Sequence, residues 1–139
     1  MQDPAHGEFK EPFLDPTTPV AMQRIDRLTS MSRDELDQLP IGAIRLDRDG
    51  TIREYNAAEA RLANLDPADV IGKNFFTEVA PCTNVQEFAG RFRAGVGSDR
   101  PAVAFPYVFR FPKRELVVTI LLHFEQDSEY GWIFVQTTQ

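Results

Sequence analysis

Read for polarity alone, the chain changes period several times, and each change marks an element. Residues 42–46 and 51–55 alternate in polarity on either side of Asp47-Arg48-Asp49-Gly50. That pattern predicts two strands joined by a tight turn ending in glycine. Asn56 stands where a helix over residues 57–63 needs an N-cap. Asp66-Pro67 opens another helical turn, with proline at its tolerated first position, and Gly72 closes it. A longer helix is predicted after Cys82, capped by Thr83-Asn84-Val85-Gln86 and closed by Gly95 and Gly97, with Val85, Phe88, Ala89 and Phe92 on its apolar face. Strands follow over residues 102–111, 115–125 and 130–137, with turns at 112–114 and 126–129. Pro106 inside the first of these requires an edge position or a bulge, because proline cannot donate to a ladder.

Ahead of residue 42 the pattern is weaker. Residues 1–20 hold Pro4, Pro12, Pro16 and Pro19 with few apolar positions. Such a composition buries too little surface to offset its ordering entropy, and a mobile leader is expected. Met22, Ile25 and Leu28 have helical spacing. Ser32-Arg33-Asp34-Glu35 then matches a capping box for a second short helix that stops before Pro40. Residues 21–39 are expected to form a helical cap on the core. The order of elements gives an α+β plan: one domain over 21–139, built on a five-stranded antiparallel sheet with helices on one face.

Composition narrows the functions. At 139 residues the chain fits one domain, and eleven phenylalanines supply an aromatic core. A net charge of −6 argues against non-specific nucleic-acid binding. The longest apolar run, residues 116–124, is strand-sized and too short to span a membrane. One cysteine and no basic-then-apolar start fit a reducing cytoplasm. His6 lies in the leader and His123 in an apolar strand, so neither joins a metal-ligand or hydrolytic motif. Carboxylates are plentiful, but no pair of them stands out as acid and base. Nothing points to an enzyme.

The chemistry therefore centres on Cys82, which follows an apolar run and Pro81. A single thiol has no intrachain partner. It is an inert buried thiol, a nucleophile, or a point of covalent attachment. Tyr55 and Glu59 lie four apart across the strand-to-helix junction, so both can face the space between sheet and helices. Singly, Tyr55 is a strand aromatic with its hydroxyl at the rim, and Glu59 serves the helix cap.

Three stretches change that reading when taken together: Tyr55-Asn56-Ala57-Ala58-Glu59, Val70-Ile71-Gly72-Lys73-Asn74-Phe75-Phe76 and Val79-Ala80-Pro81-Cys82-Thr83. Their sequence resembles the photoactive yellow protein (xanthopsin) family. The likeness runs from about Leu39 to the end and includes the strand from Gly42, Phe88, Gly90, Phe92, Phe105, Tyr107, Phe109 and Trp132-Ile133-Phe134-Val135. The resemblance implies a PAS fold and a blue-light photoreceptor. It implies trans-4-hydroxycinnamic acid (p-coumaric acid) held on Cys82 as a thioester, with Tyr55 and Glu59 donating to its phenolic oxygen. Ile44, Val79, Ala80, Pro81, Phe109 and Lys113 would complete the pocket. Light would isomerise the pigment, Glu59 would release its proton, and the N-terminal cap would loosen. A separate downstream protein, or a second copy in a homodimer, would read that change.

Three positions depart from the family pattern: Ala63 replaces a threonine, Leu65 an arginine and Lys113 a methionine. They keep a second reading open, a pigment-free PAS module that binds a small ligand or a protein. A thiol enzyme would need a general base that the sequence does not supply.

Overall fold

Ser32 opens the first helix among the described residues, α1 (Arg33–Asp37), through the expected capping box. Its hydroxyl accepts from the Glu35 amide at 3.2 Å, and the Glu35 carboxylate accepts from the Ser32 amide at 2.8 Å. The structure is a computed structural model that describes residues 31–98, 102–111, 113–125 and 129–137. The expected leader and the helix around Met22, Ile25 and Leu28 lie outside the described residues.

Strands β1 (Gly42–Leu46) and β2 (Ile52–Tyr55) follow. The turn between them closes on Asp47, whose carboxylate accepts from the Asp49 and Thr51 amides. Gly50 sits at φ 92°, a conformation that side chains disfavour. Helices α2 (Ala57–Ala63) and α3 (Pro67–Val70) are capped by Asn56 and Asp66, as their positions predict. Strands β3 (Ala102–Phe111), β4 (Arg114–Phe124) and β5 (Gly131–Thr137) complete an antiparallel five-stranded sheet in the order β2-β1-β5-β4-β3.

Both edges of the sheet are protected against further pairing. Pro106 lies on β3, an edge strand, where its missing donor costs nothing. Along β2, the segment after α3 takes up the free groups. The Ile52 amide donates to Lys73, the Gly72 amide to Ile52, and the Phe75 amide to Gly50.

The alternation of the strands sorts the core into two layers. Ile44, Leu46, Val118, Ile120, Leu122, Ile133 and Val135 face the helices, where Phe75, Phe76, Phe88 and Phe92 pack on them. Ala43, Leu121, Trp132 and Phe134 face the opposite way, onto Leu36 of α1 and Ile41. The sheet is thus apolar on both faces, and the expectation of helices on one face is corrected by α1 on the reverse side. Strands buried on both faces read as continuous apolar runs, which is how residues 116–124 read.

The segment after Cys82 also differs from expectation. It starts as a 3-10 turn (Pro81–Thr83), passes through an extended Val85, and becomes a π-helical turn (Gln86–Gly90) that runs into α4 (Arg91–Gly95). No side chain caps this helix. The cap position falls on Val85, which has no side-chain oxygen to offer, while the Thr83 hydroxyl donates to the Ala80 carbonyl at 2.6 Å within the preceding turn. Val85 is 42% exposed rather than on the apolar face. The widened turn still brings Phe88, Ala89 and Phe92 inward.

Candidate functional site

Asn56 both ends β2 and starts α2, so it fixes the residues on either side of it. Its buried amide oxygen accepts from the amides of Ala43 at 2.9 Å and Glu59 at 3.0 Å. Its nitrogen donates to the carbonyls of Leu36 at 2.8 Å and Ile41 at 3.0 Å. Asp37 adds a further tie, accepting from the Ala57 amide at 2.9 Å. The end of α1, the start of β1 and the first turn of α2 therefore meet on two polar side chains.

From this junction Tyr55, paired across the strands with Ile44, enters the larger core layer to which Phe109 also belongs. Glu59, only 4% exposed, turns toward β1. A Cβ at Gly42 would stand 2.1 Å from Glu59 Oε1, so the carboxyl occupies space that a side chain there would fill. That oxygen is buried without a hydrogen-bond partner. Burial raises the Glu59 pKa to about 8, so the group keeps its proton at neutral pH. Burial, and then the neighbouring Glu59, push the Tyr55 phenol above its ordinary range. Acid and phenol are both neutral proton donors in an apolar setting.

Cys82 is carried by a separate segment. Asn74 caps the π-helical turn Phe75–Val79 by accepting from the Phe76 and Thr77 amides at 3.0 and 3.1 Å. Phe75 and Phe76 anchor that turn in the core. The 3-10 turn that follows presents Cys82 half-buried, as a free thiol, with Val79 and Ala80 beside it against the same layer. The Tyr107 hydroxyl donates to the Cys82 carbonyl at 2.6 Å.

The larger layer thus gathers Ile44, Tyr55, Val79, Ala80, Cys82 and Phe109, with Glu59 at the adjoining junction. Pro81 is exposed at the start of its turn. Lys113 is exposed as well, and lines a surface recess of about 340 Å³ with Ala63, Asn64, Phe111 and Arg114. Leu65 is 39% exposed. Among the described residues no group of three or more His, Cys, Asp or Glu is placed to hold a metal ion. None of their helices is long and apolar enough to cross a membrane.

Two contributors escape a linear reading. The close approach at Gly42 has no local signature, because the clash it avoids comes from a residue on another element. Tyr107 had one: it shares a strand face with Phe105 and Phe109, two and four residues apart.

The fold and this site define a class first. A family model described as the PAS fold matches residues 31–137, and the sheet order and flanking helices agree with it. Within that class the chain belongs to the photoactive yellow protein family. It is 45% identical over 109 residues to the photoactive yellow protein of Halochromatium salexigens, covering 78% of this chain and 87% of that protein. With the photoactive yellow protein of Cereibacter sphaeroides it shares 38% over 118 residues, 85% of this chain and 95% of the other. A crystal structure of the photoactive yellow protein domain from the sensor histidine kinase Ppr of Rhodospirillum centenum aligns with a TM-score of 0.75. That alignment has 43% identity and covers 81% of this chain and 98% of that domain.

Proposed function

We propose that this chain is a blue-light photoreceptor that carries p-coumaric acid on Cys82 as a thioester and has no enzymatic turnover. The observation that carries the reading is Glu59 Oε1. A buried, protonated acid with an unpartnered oxygen is costly unless the site exists to hold something polar. The remaining residues fit an aromatic acyl group, with a free thiol for attachment, aliphatic and aromatic walls, and two neutral donors.

The Cys82 thiolate would take the acyl group from an activated donor, forming the carbon–sulfur bond as the donor's leaving group departs. Ile44, Val79, Ala80 and Phe109 would exclude water from the ring, with Pro81 and Lys113 at the rim. Tyr55 and Glu59 would donate to a phenolate oxygen, and charge-assisted bonds of that kind are roughly twice as strong as neutral ones. When bound, the group supplies blue absorption and a double bond that light isomerises. Glu59 would then pass its proton to the phenolate oxygen. The carboxylate left behind, in an apolar interior, costs several kcal/mol. The fold would relieve that cost where Asn56 and Asp37 join α1 to α2, loosening α1. A separate signalling protein, or a second copy of this chain, would read the change.

Reconstitution with an activated p-coumaroyl donor tests the reading. A yellow adduct that bleaches in blue light is expected, and Cys82→Ala should stay colourless. A colourless wild-type product would leave the second reading, a pigment-free PAS module. The departures at Ala63, Leu65 and Lys113, the last two exposed, favour that outcome. Glu59→Gln should take up pigment but lose the light-driven proton transfer, read with a pH-indicator dye. If it bleaches with wild-type proton exchange, Glu59 is not the donor.

A further inference from the structure

The Tyr107 hydroxyl stands at the short end of O–H···O distances from the backbone carbonyl of the thiol-bearing residue, 2.6 Å. Its ring is set from three sides. Phe88 meets it edge-on at 5.1 Å, Phe105 edge-on at 6.4 Å and Phe109 at 6.0 Å. Aromatic contacts of this kind fix a ring's orientation, and with it the direction of the hydroxyl. The bond therefore comes from a donor already in place, which costs little side-chain entropy.

The turn that receives the bond is held locally. The Thr83 amide and hydroxyl both go to Ala80, the Asn84 amide to Pro81 and the Val85 amide to Thr83. Such bonds shape the turn but do not fix its position against the sheet. Tyr107 supplies that reference, since it belongs to β3, which pairs with β4 along its whole length. Burial, the Cys82 thiol and Glu87 raise the phenol's pKa, against a smaller opposing effect of Arg110. The group thus stays a donor at neutral pH.

We propose that Tyr107 is a positioning residue for Cys82: by gripping the carbonyl, it seats the 3-10 turn on β3 and holds the sulfur in one orientation toward the core. Its link to pigment loading rests on the function proposed above, whereas the grip itself concerns the protein without pigment.

The chain has one cysteine, so cysteine labelled with carbon-13 at the carbonyl gives a single resonance from the full-length protein. Tyr107→Phe keeps the ring and removes the hydroxyl. The labelled carbonyl is expected to move upfield in this variant. The thiol of the pigment-free protein should react about two- to ten-fold faster with a nitrophenyl disulfide, the factor that corresponds to losing one ordinary hydrogen bond. The acceleration should not change with sub-denaturing urea, as expected for a local loosening.

An unmoved carbonyl would show that the bond is absent and overturn the proposal. A moved carbonyl with an unchanged thiol rate would overturn it too, by showing a bond that does not orient the sulfur. An acceleration that grows with urea would assign Tyr107 to global stability instead. None of these readouts needs pigment, so a colourless reconstitution would sink the proposed photoreceptor and leave this inference standing.

Discussion

Glu59 ties the stability of this fold to pH in the direction opposite to an ion-paired carboxylate. Its pKa is about 8 in the folded chain, against 4.5 for the unperturbed group. Between those values the folded state holds a proton that the unfolded chain has released, so stability falls as pH rises. The contribution is complete below about 4.5 and gone above about 8. Urea midpoints of the pigment-free protein from pH 5 to 9 should follow that slope. Glu59→Gln should flatten it and exceed wild type at pH 8.5, by on the order of 1–4 kcal/mol. A wild-type profile already flat over that range would mean that Glu59 is not held protonated by burial. Tyr55 does not contribute within this window, because its phenol is raised further above neutrality.

At the scale of elements, the junction of α1, β1 and α2 is where a change at Glu59 would be felt first. The Asn56 side chain makes four hydrogen bonds there, two with the amides of Ala43 and Glu59 and two to the carbonyls of Leu36 and Ile41. Asn56→Ala leaves buried amides and carbonyls unpaired, at about 1–3 kcal/mol for each group that water cannot reach. A loss of at least 2 kcal/mol is expected from denaturant unfolding, above the ordinary cost of a missing cap. The helix after Cys82 shows the limit of local signals at this scale. Its sequence offers Thr83 and Asn84 as caps, but Thr83 belongs to the turn that presents the thiol, and the cap position falls on Val85. Both outcomes have one cause: a side chain caps only the backbone groups that the tertiary path brings to it.

The two apolar layers decide how a local event would spread through the whole molecule. Trp132 stacks on Phe134 at 5.7 Å with their planes 2° apart, in the layer that Leu36 covers. Its indole nitrogen donates to Glu125 at 2.8 Å, and Arg45 holds the same carboxylate at 2.7 Å. The site residues lie on the other side of the sheet, so Trp132 reports on α1 without touching them. Since it is the single tryptophan, its emission is unambiguous. Blue light on the pigmented protein should shift that emission to the red as water reaches the layer under α1. Unchanged emission during bleaching would mean that α1 stays seated and that the signal leaves by another route.

The linear pattern was enough to locate most elements, since periods of two and of three to four depend on neighbours in the chain. The capping box at Ser32, the Asn56 cap, the edge proline and the residues 102–111 strand all follow from local chemistry. The candidate residues Tyr55, Glu59 and Cys82 were legible too, through their likeness to a family rather than through spacing. What only the tertiary structure decided was environment. An orphaned oxygen on Glu59, the space left by Gly42, the grip of Tyr107 and the second apolar face all arise between residues far apart in sequence. Burial and partnership belong to the folded space around a group, and no window along the chain contains them.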